Sequence, residues 1–514
     1  MKRYKKANES IYAPGEVKEK AARPAGRRSH ARWMGAAAAV LAVVLTAGAA
    51  LWPGRTNVTD PLSLDGPGVP PGRGYDPVLT PAPTARAVTL AAAVYPETVP
   101  YPKEEDYTSA LTGEVDYGKY NKAYDAWRES RNALRSGMDY AGLLDEFLSA
   151  STAQFLTNAG AENRVWSPLN VYLALSMLAE TTGGSSRQQL LDLLGADSIE
   201  SLRALAKALW RDSYRDDGIV TSVLANSLWM NRALGGHYAQ DTLDTLAQDY
   251  YASSFSGEMG SEEYNQALRN WLNEQTHDLL KDAADGLELD PATVLGLAST
   301  VYFKAGWASN FEEESTRKDV FHAPGRDLTA DFMHSSRTQA YYWADRFSAV
   351  SLDFEGREYE MWLILPDEGY SPDDLLTTGE AMEFLLTDKY GYTDSKYLTV
   401  NLSMPKFDVS SSTDLIEGLQ NLGVTDIFDY TASDFTPLTD LPEIYVSQAV
   451  HAARVIADEE KVEAAAFTVI VMEPGSAPPP ADEVDFILDR PFLFAITGPS
   501  GLPLFTGVVN QPNG

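Results

Sequence analysis

Residues 460–472 read EKVEAAAFTVIVM, and residues 472–483 read MEPGSAPPPADE. The first run alternates with the two-residue period of a strand. Val462, Ala464, Ala466, Thr468, Ile470 and Met472 share one face and carry no charge, whereas Lys461, Glu463, Ala465, Phe467, Val469 and Val471 share the other. The second run is rich in Pro, Gly, Ala and acid, a composition that favours exposed, unpaired backbone. Two readings fit this pattern. One is an ordinary strand leading into a loop. The other is a loop already patterned as a half-buried strand, able to enter a sheet because Ala464 and Ala466 are small enough to slide between existing strands without overpacking.

From about residue 138 the pattern is dense and globular. In YAGLLDEFLSASTAQFLTN, Leu143, Leu144, Phe147 and Leu148 fall at helical spacing. In SPLNVYLALSMLAETTGG, Ser167 stands at an N-cap position, Pro168 suits the first helical position and Gly183-Gly184 can end the helix. That helix is apolar nearly all round, which predicts burial in the middle of the fold. Ser185 and Gln188 predict a capping box opening QQLLDLLG, which Gly195 ends. STVYFKAGW, YEMWLILP and YLTVNLSMPKF read as strands, and RPFLFAITGPSGLPLFTGVV as two buried strands joined by a turn. Helices early and strands late predict an α+β domain rather than a doubly wound sheet.

Composition narrows the function. The 514 residues carry a formal net charge of −32, which argues against nucleic acid as a partner. There is no cysteine, hence no disulfide framework, thiol nucleophile or thiolate metal site. No G-x-S-x-G elbow, P-loop, dinucleotide fingerprint or H-E-x-x-H occurs, and the six histidines lack ligand spacing. No enzyme activity, cofactor or metal is expected, although counting acids alone leaves a glycosidase-like carboxylate pair open.

Several motifs together resemble the serpin family, in that family's order, from about residue 138 to 512. They are NRVWSPLNVYLALSMLAETTGGSSRQQLLDLLG (163–195), STVYFKAGWASNFEEESTRKDVFH (299–322), MPKFDVSSSTDLIEGLQNLGVTDIFD (404–429), VHAARVIADEEKVEAAAFT (450–468) and the C-terminal RPFLFAITGPSGLPLFTGVVNQP. The resemblance implies a serpin fold, with helices around a large central mixed sheet, smaller sheets and an exposed reactive loop. It also implies a suicide-substrate inhibitor of serine proteases: the protease cuts the loop, and the freed loop end inserts as a new strand into the large sheet. The hinge would be Glu459, Glu460, Lys461, Val462, Glu463, Ala464, Ala465 and Ala466. Counting seventeen residues from Glu459 puts the reactive bond at Gly475–Ser476, with Met472–Glu473 as the rival. The shutter and breach positions would be Asn163, Ser167, Asn170, Ser299, Trp307 and His451. Lys461 stands where inhibitory members carry Gly, Phe467 is bulky for its place, and Asn170 and Ser299 replace a Ser and an Asn. Those departures keep a second reading open, a non-inhibitory serpin that binds or carries and whose loop is cut without trapping. An elastase- or subtilisin-like target fits the loop better than a trypsin-like one, because Lys461 is the only Lys or Arg between Glu459 and Asp489.

Residues 33–52, WMGAAAAVLAVVLTAGAALW, contain no charge and as a helix would reach ~30 Å, the thickness of a hydrocarbon core. Ten Lys or Arg against three Glu in residues 1–34 predict a cytoplasmic N-terminus. A cleaved signal peptide is the rival, since Ala47-Gly48-Ala49 resembles a cleavage site. The expected organisation is a basic cytoplasmic segment (1–34), a transmembrane helix or signal anchor (35–52), a Pro/Gly-rich linker with an acidic extension (53–137) and the serpin domain (138–512). YKKANESIYAPGEVKEKA resembles cytoplasmic segments of membrane-anchored bacterial regulators. The expectation is therefore a bacterial, monomeric protein on the extracellular face of the membrane, or a secreted one.

Overall fold

The computed structural model describes residues 36–47, 87–109, 112–459 and 482–512. Its frame is an eight-stranded sheet. Seven of the strands are β1 (Ala36–Ala47), β2 (Val88–Ala91), β3 (Val220–Asn231), β4 (Ala252–Gly257), β5 (Thr293–Ala305), β6 (Phe407–Asp414) and β7 (Ile444–Ala457). They lie in the order β6-β7-β1-β5-β3-β4-β2, with the short strand Arg215–Asp216 paired to β3. Only β3 and β4 run parallel; every other neighbouring pair is antiparallel. All of β5 is buried except Lys304, as a central strand covered on both faces requires.

A nine-stranded second sheet contains the C-terminal hairpin, Phe492–Thr497 against Pro503–Val509. The intervening turn uses Gly501 at φ 75°, a left-handed conformation that glycine adopts without strain. The outer hairpin strand pairs with Arg164–Trp166, which leads directly into the central helix.

Three helices of the body are α1 (Tyr117–Leu134), α2 (Asp145–Leu156) and α3 (Pro168–Thr181). Every residue of α3 is buried, in keeping with its apolar circumference. Ser167 is its N-cap residue by position, yet its hydroxyl donates to the Leu504 carbonyl rather than capping the helix. The capping box expected at Ser185 and Gln188 does not form. The next helix begins at Gly184, and the Ser185 hydroxyl donates to Asp426 instead, because an acid from a distant turn lies within 2.6 Å.

The largest departure from expectation is the apolar run at 35–52. Over Ala36–Ala47 it is a strand, not a transmembrane helix, and among the described residues no helix is long and apolar enough to cross a membrane. The physical reason is that an uninterrupted apolar run has neither a 3.6- nor a two-residue rhythm. It suits a strand buried on both faces as well as it suits a lipid-facing helix. β1 pairs along its whole length with β7 on one side and along nearly all of it with β5 on the other.

The segment ahead of residue 138 packs on the same body. Tyr95 lies 5.1 Å from the ring of Trp210 and 5.8 Å from that of Tyr214. Helix α1 turns Trp127, Arg131 and Leu134 inward. Trp127 Nε1 donates to Asp217 at 2.9 Å, and the Arg131 guanidinium meets both the Tyr214 carbonyl and Glu358.

Candidate functional site

β7 ends at Ala457, and the two residues after it are fastened before the loop begins. The Asp458 carbonyl accepts from Trp307 Nε1 at 2.8 Å. Trp307 is itself held by a near-parallel stack on Phe354, 4.8 Å between centroids, and by an edge contact with Phe311. Glu459 is buried; its carboxylate accepts from Thr316 Oγ1 and pairs with Lys406 Nζ, both at 2.6 Å. Burial pushes the Glu459 carboxyl up, but the Lys406 ammonium and the Thr316 hydroxyl outweigh it and hold the group below the usual carboxylate range. Trp307 and Glu459 thus form a fixed post from which the next residues depart. Glu460, Lys461, Val462, Glu463, Ala464, Ala465, Ala466, Met472, Glu473, Gly475 and Ser476 lie outside the described residues.

Beneath the centre of the sheet lie two small polar groups. In the first, the Ser167 backbone N–H donates to His451 Nε2 at 3.1 Å, and the imidazole sits edge-on to Trp166 at 4.8 Å. An Nε2 that accepts must be unprotonated, so the ring is neutral with its proton on Nδ1. Complete burial pushes the His451 pKa down to about 3. In the second, the Ser299 hydroxyl lies 2.6 Å from Asn170 Oδ1 and 2.7 Å from Asn226 Oδ1. The Asn170 amide donates to the Ser299 carbonyl, and that of Asn226 to the Tyr250 carbonyl. Asn170 and Ser299 therefore face one another in a single hydrogen-bonded pair.

Asn163 belongs to neither group. It accepts from the backbone of Asn510 and Gln511 and donates to the Gln511 carbonyl, clasping the end of the C-terminal hairpin. Three residues were invisible from sequence. Asn226 carries no local motif, Thr316 is far from Glu459 in the chain, and Lys406 lies within MPKF, a stretch readable only as a strand. Removing the Ser299 hydroxyl tests the second group. Ser299→Ala removes the single hydroxyl proton that two buried amide oxygens compete for, and the expected loss is about 1–3 kcal/mol in chemical denaturation. A change under ~0.5 kcal/mol, the range of an ordinary surface substitution, would mean that the network does not support the fold.

A family model described as Serpin (serine protease inhibitor) matches residues 145–512. Serpin-Z1C of Triticum aestivum is 29% identical over 379 residues, covering 71% of this chain and 93% of that protein. The leukocyte elastase inhibitor of Sus scrofa is 29% identical over 363 residues, covering 68% and 94%. Among solved structures, the thermophilic serpin tengpin in its native state matches with a TM-score of 0.62 at 25% identity, covering 73% of this chain and 96% of that one. Arabidopsis AtSerpin1 in its native stressed conformation gives 0.60 at 24%, covering 73% and 100%. With most of its length matched by one family model, and with the post, the buried helix and the terminal hairpin built from the residues that carry the resemblance, this chain belongs to the serpin family.

Proposed function

We propose that the protein is a serine-type endopeptidase inhibitor acting as a suicide substrate. The observation that carries this reading is the end of β7. Its exit is pinned by Trp307, Thr316 and Lys406, and the strand-patterned stretch 462–472 comes within a few residues of it. A serine protease attacks the loop and forms an acyl-enzyme. Gly475–Ser476 is the bond we assign, with Met472–Glu473 as the rival. The freed loop end folds back antiparallel to β7 and enters the large sheet between β7 and β5. The protease is carried with it, and misplacing its catalytic groups by ~1 Å is enough to slow deacylation about 100-fold.

The loop composition and a relative named leukocyte elastase inhibitor support an elastase-like target, with subtilisin-like enzymes next. The protein acts as a monomer. With β1 seated in the sheet, the reading is a secreted protein. The basic cluster RRSHAR ahead of the apolar run supports attachment at the outer face of a membrane only in a state where Ala36–Ala47 has left the sheet.

One observation favours the second reading, a non-inhibitory member: β1 already holds the place between β7 and β5. The assay therefore uses the full chain and a Val40→Pro/Val43→Pro variant, in which proline removes ladder hydrogen bonds of β1. Each is mixed with elastase- and subtilisin-like proteases. A denaturant-resistant covalent adduct from either chain, with the cut bond mapped by mass spectrometry, is the expected result. Cleavage without an adduct from both, across the panel, would transfer the assignment to the binding or carrier reading.

A further inference from the structure

Both neighbours of β1 run antiparallel to it, so β5 and β7 are parallel to each other and no direct ladder joins them. The seam between them has one acceptable occupant geometry, a strand antiparallel to both. A chain that turns back at the end of β7 enters with that polarity. β1 has it too, and it starts from the same end, because Ala36 is the register partner of Ile456 near the close of β7.

The two candidate occupants are also alike in sequence along that direction. β1 reads AAAAVLAVVLTA, small residues first and β-branched or larger aliphatics afterwards. Residues 464–472 read AAAFTVIVM, the same gradient over a similar length. Small residues near the loop exit and β-branched ones further along make one seam receptive to both. The middle of β1 falls in register with the two polar groups beneath the sheet, since Leu41 is the partner of His451 on one side and of Ser299 on the other.

We infer that the seam between β5 and β7 is a strand-binding site, that Ala36–Ala47 is its resident occupant, and that this occupant competes with residues 462–472 for the site. The inference rests on the loop-insertion reading and adds to it an internal rival. While β1 is seated, a cut loop has nowhere to go and the protease is released; when β1 leaves, the loop can be taken in.

The absence of cysteine makes occupancy directly testable in the full chain. Ala39 is the register partner of Ala453. Directly opposed residues of an antiparallel ladder lie ~4.5–5.5 Å apart at Cα, within the ~4.4–6.8 Å that a disulfide bridges. The double variant Ala39→Cys/Ala453→Cys should form an intrachain disulfide under mild oxidation. The off-register pair Ala39→Cys/Ala449→Cys should not, because Ala449 is opposite Val43. The oxidised on-register chain should give at least tenfold less protease adduct, and take up at least tenfold less of a synthetic 462–472 peptide, than the Val40→Pro/Val43→Pro chain. Failure of the on-register pair to link, equal linking of both pairs, or equal and non-zero trapping by linked and proline-containing chains would each overturn the inference. Should the proline variant misfold, comparing the linked chain with its own reduced form reads out the same competition. A chain that links on register yet forms no adduct in any form would keep the occupancy and refute loop insertion instead, so the two failures are distinguishable.

Discussion

Replacing Asp217 with alanine should lower stability by about 3–5 kcal/mol, the range for breaking a buried ion pair from one side. Its carboxylate accepts from Arg215 Nε at 2.7 Å, from Trp127 Nε1 at 2.9 Å and from the backbone of Ile219 and Val220. Arg215 is fully buried, and its remaining acidic partner is Glu358, 3.1 Å from Nη1. Glu358 is already shared with Arg131 and Arg135. Alanine would leave three cationic groups on one carboxylate and would free the indole that ties α1 to the body. Urea denaturation measures the loss, and faster proteolysis within residues 112–137 would show that the extension has come away. Asp217→Asn, which keeps an acceptor but not the charge, should fall between the two. A loss below ~1 kcal/mol in Asp217→Ala, far under that expected for an uncompensated buried charge, would show that Arg215 is satisfied without it.

The second large effect is on acid stability. Folded His451 resists protonation until about pH 3, whereas in the unfolded chain it titrates near its ordinary value of ~6.5. Between those values the unfolded state holds the extra proton, so stability rises with pH. This contribution is complete above about pH 7 and is lost progressively as pH falls toward 3. At ~1.36 kcal/mol per pH unit, the wild-type chain should lose about 2 kcal/mol between pH 6.5 and 5 through this group alone. His451→Gln should be less stable at pH 7 but should lack that component of the slope. Denaturation series at several pH values separate the two effects. Parallel slopes for wild type and variant would mean that the imidazole is protonated without penalty in the folded state.

Much of the frame was readable because its signals are local. The apolar circumference of α3, the position of Ser167-Pro168 ahead of it, and the turn residues between the C-terminal strands each depend on a few neighbouring residues. What was unreadable depends on contacts between distant segments. Nothing within MPKF marks Lys406 as the partner of Glu459, and nothing within the acidic, tyrosine-rich extension announces that Trp127 will find Asp217. Asn170 and Ser299 read as one shared centre, but which atoms of the two bond to each other is visible only when helix α3 lies under β5. The apolar run at 36–47 misled for a different reason. Length and hydrophobicity measure how dry a segment wants to be, and a membrane and the middle of a sheet are both dry.

Residues 48–87 separate the end of β1 from the start of β2, and much of that span is Pro- and Gly-rich. A covalent leash of about forty residues gives the segment at its end a local concentration on the order of millimolar. Any unattached strand from outside would need a comparable concentration in solution to win the same place. The leash therefore makes the molecule deaf to stray peptides, while a competitor covalently joined to the far side of the same seam still contends on equal terms.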